Sequence, residues 1–165
     1  PVKNGQLLSN QLRLEDNALY SLVDNWLFYP HIYRNATANQ DARGVYTYLG
    51  QYPDFSMRYA ARSPYGVSSY QLSIPATESG QTISIYFPEI DIASEIWLDD
   101  TLVASNGNVK TAPIKARIQN TVITFSTEKT HTLYVIAAND THYYSGMYYP
   151  CILSTPQGIQ SMIML

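Results

Sequence analysis

Charge, cysteine and long apolar runs are all scarce in this chain of 165 residues. Charged side chains make up 14% of it, against roughly a quarter in an ordinary soluble domain. Ten basic residues face thirteen acidic ones for a net charge of -3, and no Lys/Arg cluster occurs anywhere. That excludes electrostatic capture of nucleic acid as a leading idea, since it needs a basic patch, and predicts a neutral or weakly charged partner. The lone Cys151 excludes an intramolecular disulfide, and the three scattered histidines offer no Cys/His zinc spacing. No apolar stretch approaches the ~18 to 20 residues of a membrane span, and Pro1-Val2-Lys3-Asn4-Gly5 lacks the apolar core of a signal peptide. The apolar end, Ser161-Met162-Ile163-Met164-Leu165, predicts a neighbouring segment. Length argues for one domain over residues 1–165.

What is abundant is tyrosine, fifteen of them, and alternation. Tyr70, Leu72 and Ile74 share one face of a strand that Pro75 ends, and Ile83, Ile85 and Phe87 repeat the pattern up to Pro88. Glu78-Ser79-Gly80-Gln81 is the turn between them. Ile96-Trp97-Leu98 and Thr101-Leu102-Val103 flank Asp99-Asp100, residues that tolerate the left-handed backbone of a hairpin. Val122 to Phe125 and Thr132 to Ala137 are further strands about a Glu128-Lys129-Thr130 turn. Helix signals are weak; the stretch from Leu12 to Leu22, broken by Asp16-Asn17, supports a short turn of helix at most. The pattern predicts an all-β jelly-roll sandwich with at most short helical turns. Its expected core holds Leu72, Ile74, Ile83, Ile85, Ile96, Leu98, Leu133 and Val135, with Trp26 and Phe28 added and Cys151 as a buried thiol.

Three stretches carry a resemblance. Tyr65-Gly66-Val67-Ser68-Ser69-Tyr70-Gln71-Leu72 resembles a strand of the form Gly, small, small, Thr/Ser, Tyr, Arg, Leu. The segment from Trp97 to Val109 resembles a hairpin with Asn-Gly, Leu-Val-Ala and a second Asn-Gly. The segment from Asn139 to Pro150 is similar to the twelve-residue motif Asn, x, x, His, x, x, Gly-Gly, Leu, Trp, x, Pro. Gln71, Asp99-Asp100, Ser145 and Tyr148 depart from the pattern. The family so resembled, over roughly residues 26–153, is the extracellular sensor module of bacterial membrane receptors with diverse intracellular signalling outputs, such as histidine kinases and diguanylate cyclases. The resemblance implies a galactose-binding-like jelly roll, shared with the sugar-binding domains of glycoside hydrolases. It also implies an extracytoplasmic location, and a membrane segment and an intracellular output domain in the same full-length chain.

Chemistry by the chain itself finds little support. The acidic cluster Glu89, Asp91, Glu95, Asp99 and Asp100 ends in a turn that favours aspartate for backbone reasons, and nothing separates the two carboxylates into acid and base. Gly66-Val67-Ser68-Ser69-Tyr70 lacks the closing glycine of a nucleophile elbow and precedes a strand. No cofactor is expected, and no run is dense enough in oxygen ligands to assign a structural Ca²⁺.

Binding is the stronger expectation, because flat aromatic faces cover sugar C–H surfaces while planar polar groups take the hydroxyls. His142, Tyr143, Tyr144 and Tyr148 stand beside Asn139 and Asp140 on a segment that leaves the last long strand. Trp97, out of phase with Ile96 and Leu98, should face outward as a stacking platform, a dimer contact or a ring partly covered by a loop. Arg58 offers a bidentate guanidinium for a carboxylate. These eight residues are the candidate ligand site. The expected function is a non-catalytic sensor domain for a small carbohydrate-like ligand, with a homodimer among its expected partners. An accessory sugar-binding domain of a secreted glycoside hydrolase and a structural interaction module are the alternatives.

Overall fold

A computed structural model describes residues 2–8, 14–22, 26–29, 45–47, 66–90, 93–107, 109, 119–139 and 151–165. In chain order the strands are β1 (Val2–Lys3), β2 (Gln6–Leu7), β3 (Tyr20–Leu22), β4 (Trp26–Tyr29), β5 (Val45–Thr47), β6 (Gly66–Ile74), β7 (Thr82–Ile90), β8 (Ala93–Leu98), β9 (Thr101–Asn106), β10 (Gln119–Ser126), β11 (His131–Asn139) and β12 (Cys151–Ser154). The helix α1 (Pro156–Ile163) follows. They form two sheets. The larger has eight strands in the order β1-β2-β6-β11-β8-β9, with β4 joined to β6 and β5 to β4. The smaller runs β10-β7-β12-β3.

The period of two explains the layering, because successive side chains of a strand point to opposite faces. Tyr70, Leu72 and Ile74 of β6, Leu133, Val135 and Ala137 of β11, and Ile96 of β8 form the inner face of the large sheet. Ile83, Ile85 and Phe87 of β7, Ile123 and Phe125 of β10, and Cys151 and Leu153 of β12 close over them from the small sheet. Trp26 and Phe28 join this core, Phe28 tilted against Tyr70 with ring centroids 4.9 Å apart. Each buried Val, Leu, Ile or Phe among them contributes about 1.5–3 kcal/mol, so the alternating sets hold the two layers together. The expected core residues are all in place, with Leu98 half-buried at its margin.

Turn chemistry follows the residue types. Asp99 sits at φ 55° in the β8–β9 hairpin and Gly80 at φ 56° between β6 and β7, where a left-handed residue closes the turn. One expectation needs correction. Pro88 does not end its strand: β7 continues to Ile90, and the partner β10 is irregular between Gln119 and Thr121 where Pro88 lacks a donor for the ladder. The short helical content expected includes α1, whose position the sequence reading did not assign. Its signal was local: Thr155 caps the N-terminus by accepting from Gly158 N at 3.0 Å, and Pro156 begins the first turn. The Asp16-Asn17 region is, as expected, only a short 3-10 turn, Glu15–Asn17.

Candidate functional site

The outer face of the large sheet carries a second set of side chains, and register places them in rows. Tyr134 of β11 lies opposite Gln71 of β6 on one side and Trp97 of β8 on the other, and Gln71 in turn lies opposite Leu27 of β4. The next row is Tyr29, Ser69, Ile136 and Glu95. Gln71, Tyr134 and Trp97 are all half-buried, so this row joins two aromatic rings and a planar amide across three neighbouring strands. Two strand spacings give it a width of about 10 Å, the scale of one or two sugar rings.

Trp97 is held in place. Its Nε1–H donates to Glu95 Oε1 over 2.9 Å, a contact between residues two apart that a strand puts on one face. A bulge assists. β9 pairs Ala104 with Ile96 but Leu102 with Trp97, which leaves Val103 as the extra residue opposite the indole; bulges of this kind re-aim side chains. Beneath and beside the ring lies an apolar cluster of Ala93, Val109, Ile136 and Ala138, against which Val67, Trp97 and Tyr134 pack. The outer face therefore gives a braced indole backed by apolar surface, a tyrosine and an amide in the same row, and a carboxylate in the next. Rings and polar groups so arranged can cover a flat apolar face and accept hydrogen bonds from hydroxyls.

Of the eight site residues expected from sequence, Trp97 is placed as expected, facing away from the main core. Asn139 ends β11, its backbone opposite Gly66. It stands five positions along β11 from Tyr134, the partner of Trp97, or about 17 Å of strand. The backbone thus sets the Asn139 end and the Trp97 row apart along β11. Arg58, Asp140, His142, Tyr143, Tyr144 and Tyr148 lie outside the described residues. Sequence reasoning missed Tyr134, Gln71 and Tyr29 as site residues. Tyr134 and Gln71 carry the outward parity of Trp97 and Val67, but only cross-strand register brings them into a row with Trp97.

No group of three metal-ligating side chains occurs among the described residues. Cys151 is buried in β12, and burial pushes its thiol well above the usual range, which makes it an inert core residue. No helix among the described residues is long and apolar enough to cross a membrane.

No protein-family model matches the chain, and no curated protein sequence does. Among solved structures it is similar to glycoside hydrolases of family 2. A β-galacturonidase from Eisenbergiella tayi matches 84% of this chain with 24% of its own, at 16% identity and a TM-score of 0.55. A family 2 member from Bacteroides cellulosilyticus gives 82%, 20%, 17% and 0.58 in the same order. A β-glucuronidase from Faecalibacterium prausnitzii gives 88%, 33%, 15% and 0.55. At these identities the likeness establishes the fold, a β-sandwich of the kind those enzymes contain. This chain spans between a fifth and a third of their lengths.

Proposed function

We propose that this chain is a non-catalytic carbohydrate-binding domain of a longer protein. The carrying observation is the outer-face row of Trp97, Tyr134 and Gln71, with the indole fixed by Glu95. The sandwich fold shared with glycosidase chains supports the reading. In this reading the domain lies beside a catalytic unit and holds it to a glycan. His142, Tyr143, Tyr144 and Tyr148, with Asn139, Asp140 and Arg58, are proposed as further ligand contacts.

A second reading keeps the domain as an extracytoplasmic sensor, and the twelve-residue likeness from Asn139 to Pro150 favours it. A ligand would then shift a signalling equilibrium by its difference in affinity for two states, tenfold for each ~1.4 kcal/mol.

Thermal-shift titration against neutral and uronic mono- and oligosaccharides tests the binding claim shared by both. A sugar at a hundred times its Kd adds about 2.7 kcal/mol of apparent stability. Trp97→Ala should remove that shift while the paired change Tyr143→Ala with Tyr144→Ala weakens it. A library without a single stabilising sugar overturns the proposal.

A further inference from the structure

Three turns meet at the end of the sandwich where β11 begins, and hydrogen bonds stitch them together. Thr77 N donates to Thr127 O at 3.0 Å, Thr127 N to Gln81 O at 2.7 Å, and Gln81 N to Thr127 Oγ1 at 2.8 Å, which joins the β6–β7 turn to the β10–β11 turn. Asp99 N donates to Thr132 O at 2.8 Å and Thr132 N to Asp99 Oδ1 at 2.8 Å, which joins the β8–β9 turn to β11. His131 bridges the two sets. Its Nδ1 lies 2.6 Å from Asp99 Oδ2 and its Nε2 lies 2.9 Å from Ser126 O.

A backbone carbonyl and an ionised carboxylate only accept hydrogen bonds, so both ring nitrogens must donate. A neutral imidazole has one N–H and satisfies one partner; the imidazolium satisfies both. The ring stands edge-on to Phe125, with centroids 5.4 Å apart and an interplanar angle of 76°, which restricts its reorientation. We infer that His131 is a proton-dependent latch: charged, it ties the β8–β9 turn to the end of β10, and on losing a proton it must release either Asp99 or Ser126.

The latch lies in line with the candidate site. Asp99 follows Trp97 by two residues and His131 precedes Tyr134 by three, on the strand pair that carries the aromatic row. Among the described residues, the charged groups at this end are Asp99 and Asp100 in the β8–β9 turn, Glu128 and Lys129 in the β10–β11 turn, and Glu78 in the β6–β7 turn, while the β6 residue opposite His131 is the apolar Ile74. Only Asp99 among these is in ion-pair contact with the ring.

The test is ring-nitrogen and amide NMR on the 165-residue chain across the histidine titration. On the acid side both His131 nitrogens should report N–H. As the ring deprotonates, protection of the Asp99 and Thr132 amides, corrected for intrinsic exchange, should fall about tenfold. Asp99→Asn reverses the dependence, because its amide can donate to a neutral Nδ1 while Nε2 still donates to Ser126 O; asparagine also tolerates the left-handed backbone there. Glu128→Gln and Lys129→Gln should leave the transition in place. A single N–H on the ring at every pH, or protection at Asp99 and Thr132 that ignores the ring's charge, overturns the inference.

Discussion

Trp26 and Trp97 both donate an indole N–H over 2.9 Å, yet they sit in opposite worlds. Trp26 is wholly buried in the main core and donates to the backbone carbonyl of Leu22, an acceptor the fold cannot move. Trp97 is half-buried on the outside of the large sheet and donates to the carboxylate of Glu95, a side chain two residues away on the same face. The first is an element of architecture. The second is braced by a neighbouring side chain while part of its ring stays in water, which is what the proposed sugar platform needs: little ordering cost on binding and an acceptor at hand.

Replacing each ring measures how far the two differ. Trp26→Ala should cost about 3–5 kcal/mol in denaturant unfolding, the range for emptying a core aromatic site. Trp97→Ala should cost less than half as much, since part of its surface is already in water. Equal losses at both positions would make Trp97 a core residue and end its claim to a ligand.

Damage to the scaffold at a third place sharpens the contrast. In α1 a Cβ on Gly158 would overlap Ser154 Oγ and come within 3.0 Å of Asn17 O, a backbone atom with little freedom to retreat. Gly158→Ala should destabilise the fold by about 1–3 kcal/mol, read as a lower denaturation midpoint, while sugar affinity stays the same. Loss of affinity there would show that the outer face depends on global stability and not on its own row.

The smallest effect belongs to Glu95→Gln. The amide oxygen still accepts from Trp97 Nε1, so stability should change by no more than about 0.5 kcal/mol. Glu95→Ala, by contrast, removes the brace and should weaken sugar binding with similarly little effect on the unfolding midpoint. A wild-type affinity in Glu95→Ala would mean that the fixed indole angle is irrelevant.

How much of this was written in the chain depends on the range of the signal. Alternation in β6, β7 and β11 is local, so the core set Leu72, Ile85 and Val135 and the outward parity of Trp97 were readable directly. Asp99 announced its turn for the same reason. Pro88 misled because its missing donor ends a strand only where the neighbour needs that bond, and β10 is irregular at that point. The row of Gln71, Tyr134 and Trp97 was invisible, since it joins residues tens of positions apart whose adjacency is fixed by pairing alone. His131 went unnoticed for a related reason: Asp99 reaches it from another turn, and its second acceptor is a backbone carbonyl at the end of β10.

The two indoles also provide the most direct test of the central claim. Each gives its own N–H signal in a nitrogen-edited NMR spectrum, and the signal of Trp26 serves as an internal control within the same sample. Titrating the best-stabilising saccharide should move the Trp97 indole signal and the amides of β8 and β11 around Tyr134, while the Trp26 signal stays still. A saccharide that binds and leaves Trp97 unmoved, or moves both indoles alike, would contradict the account.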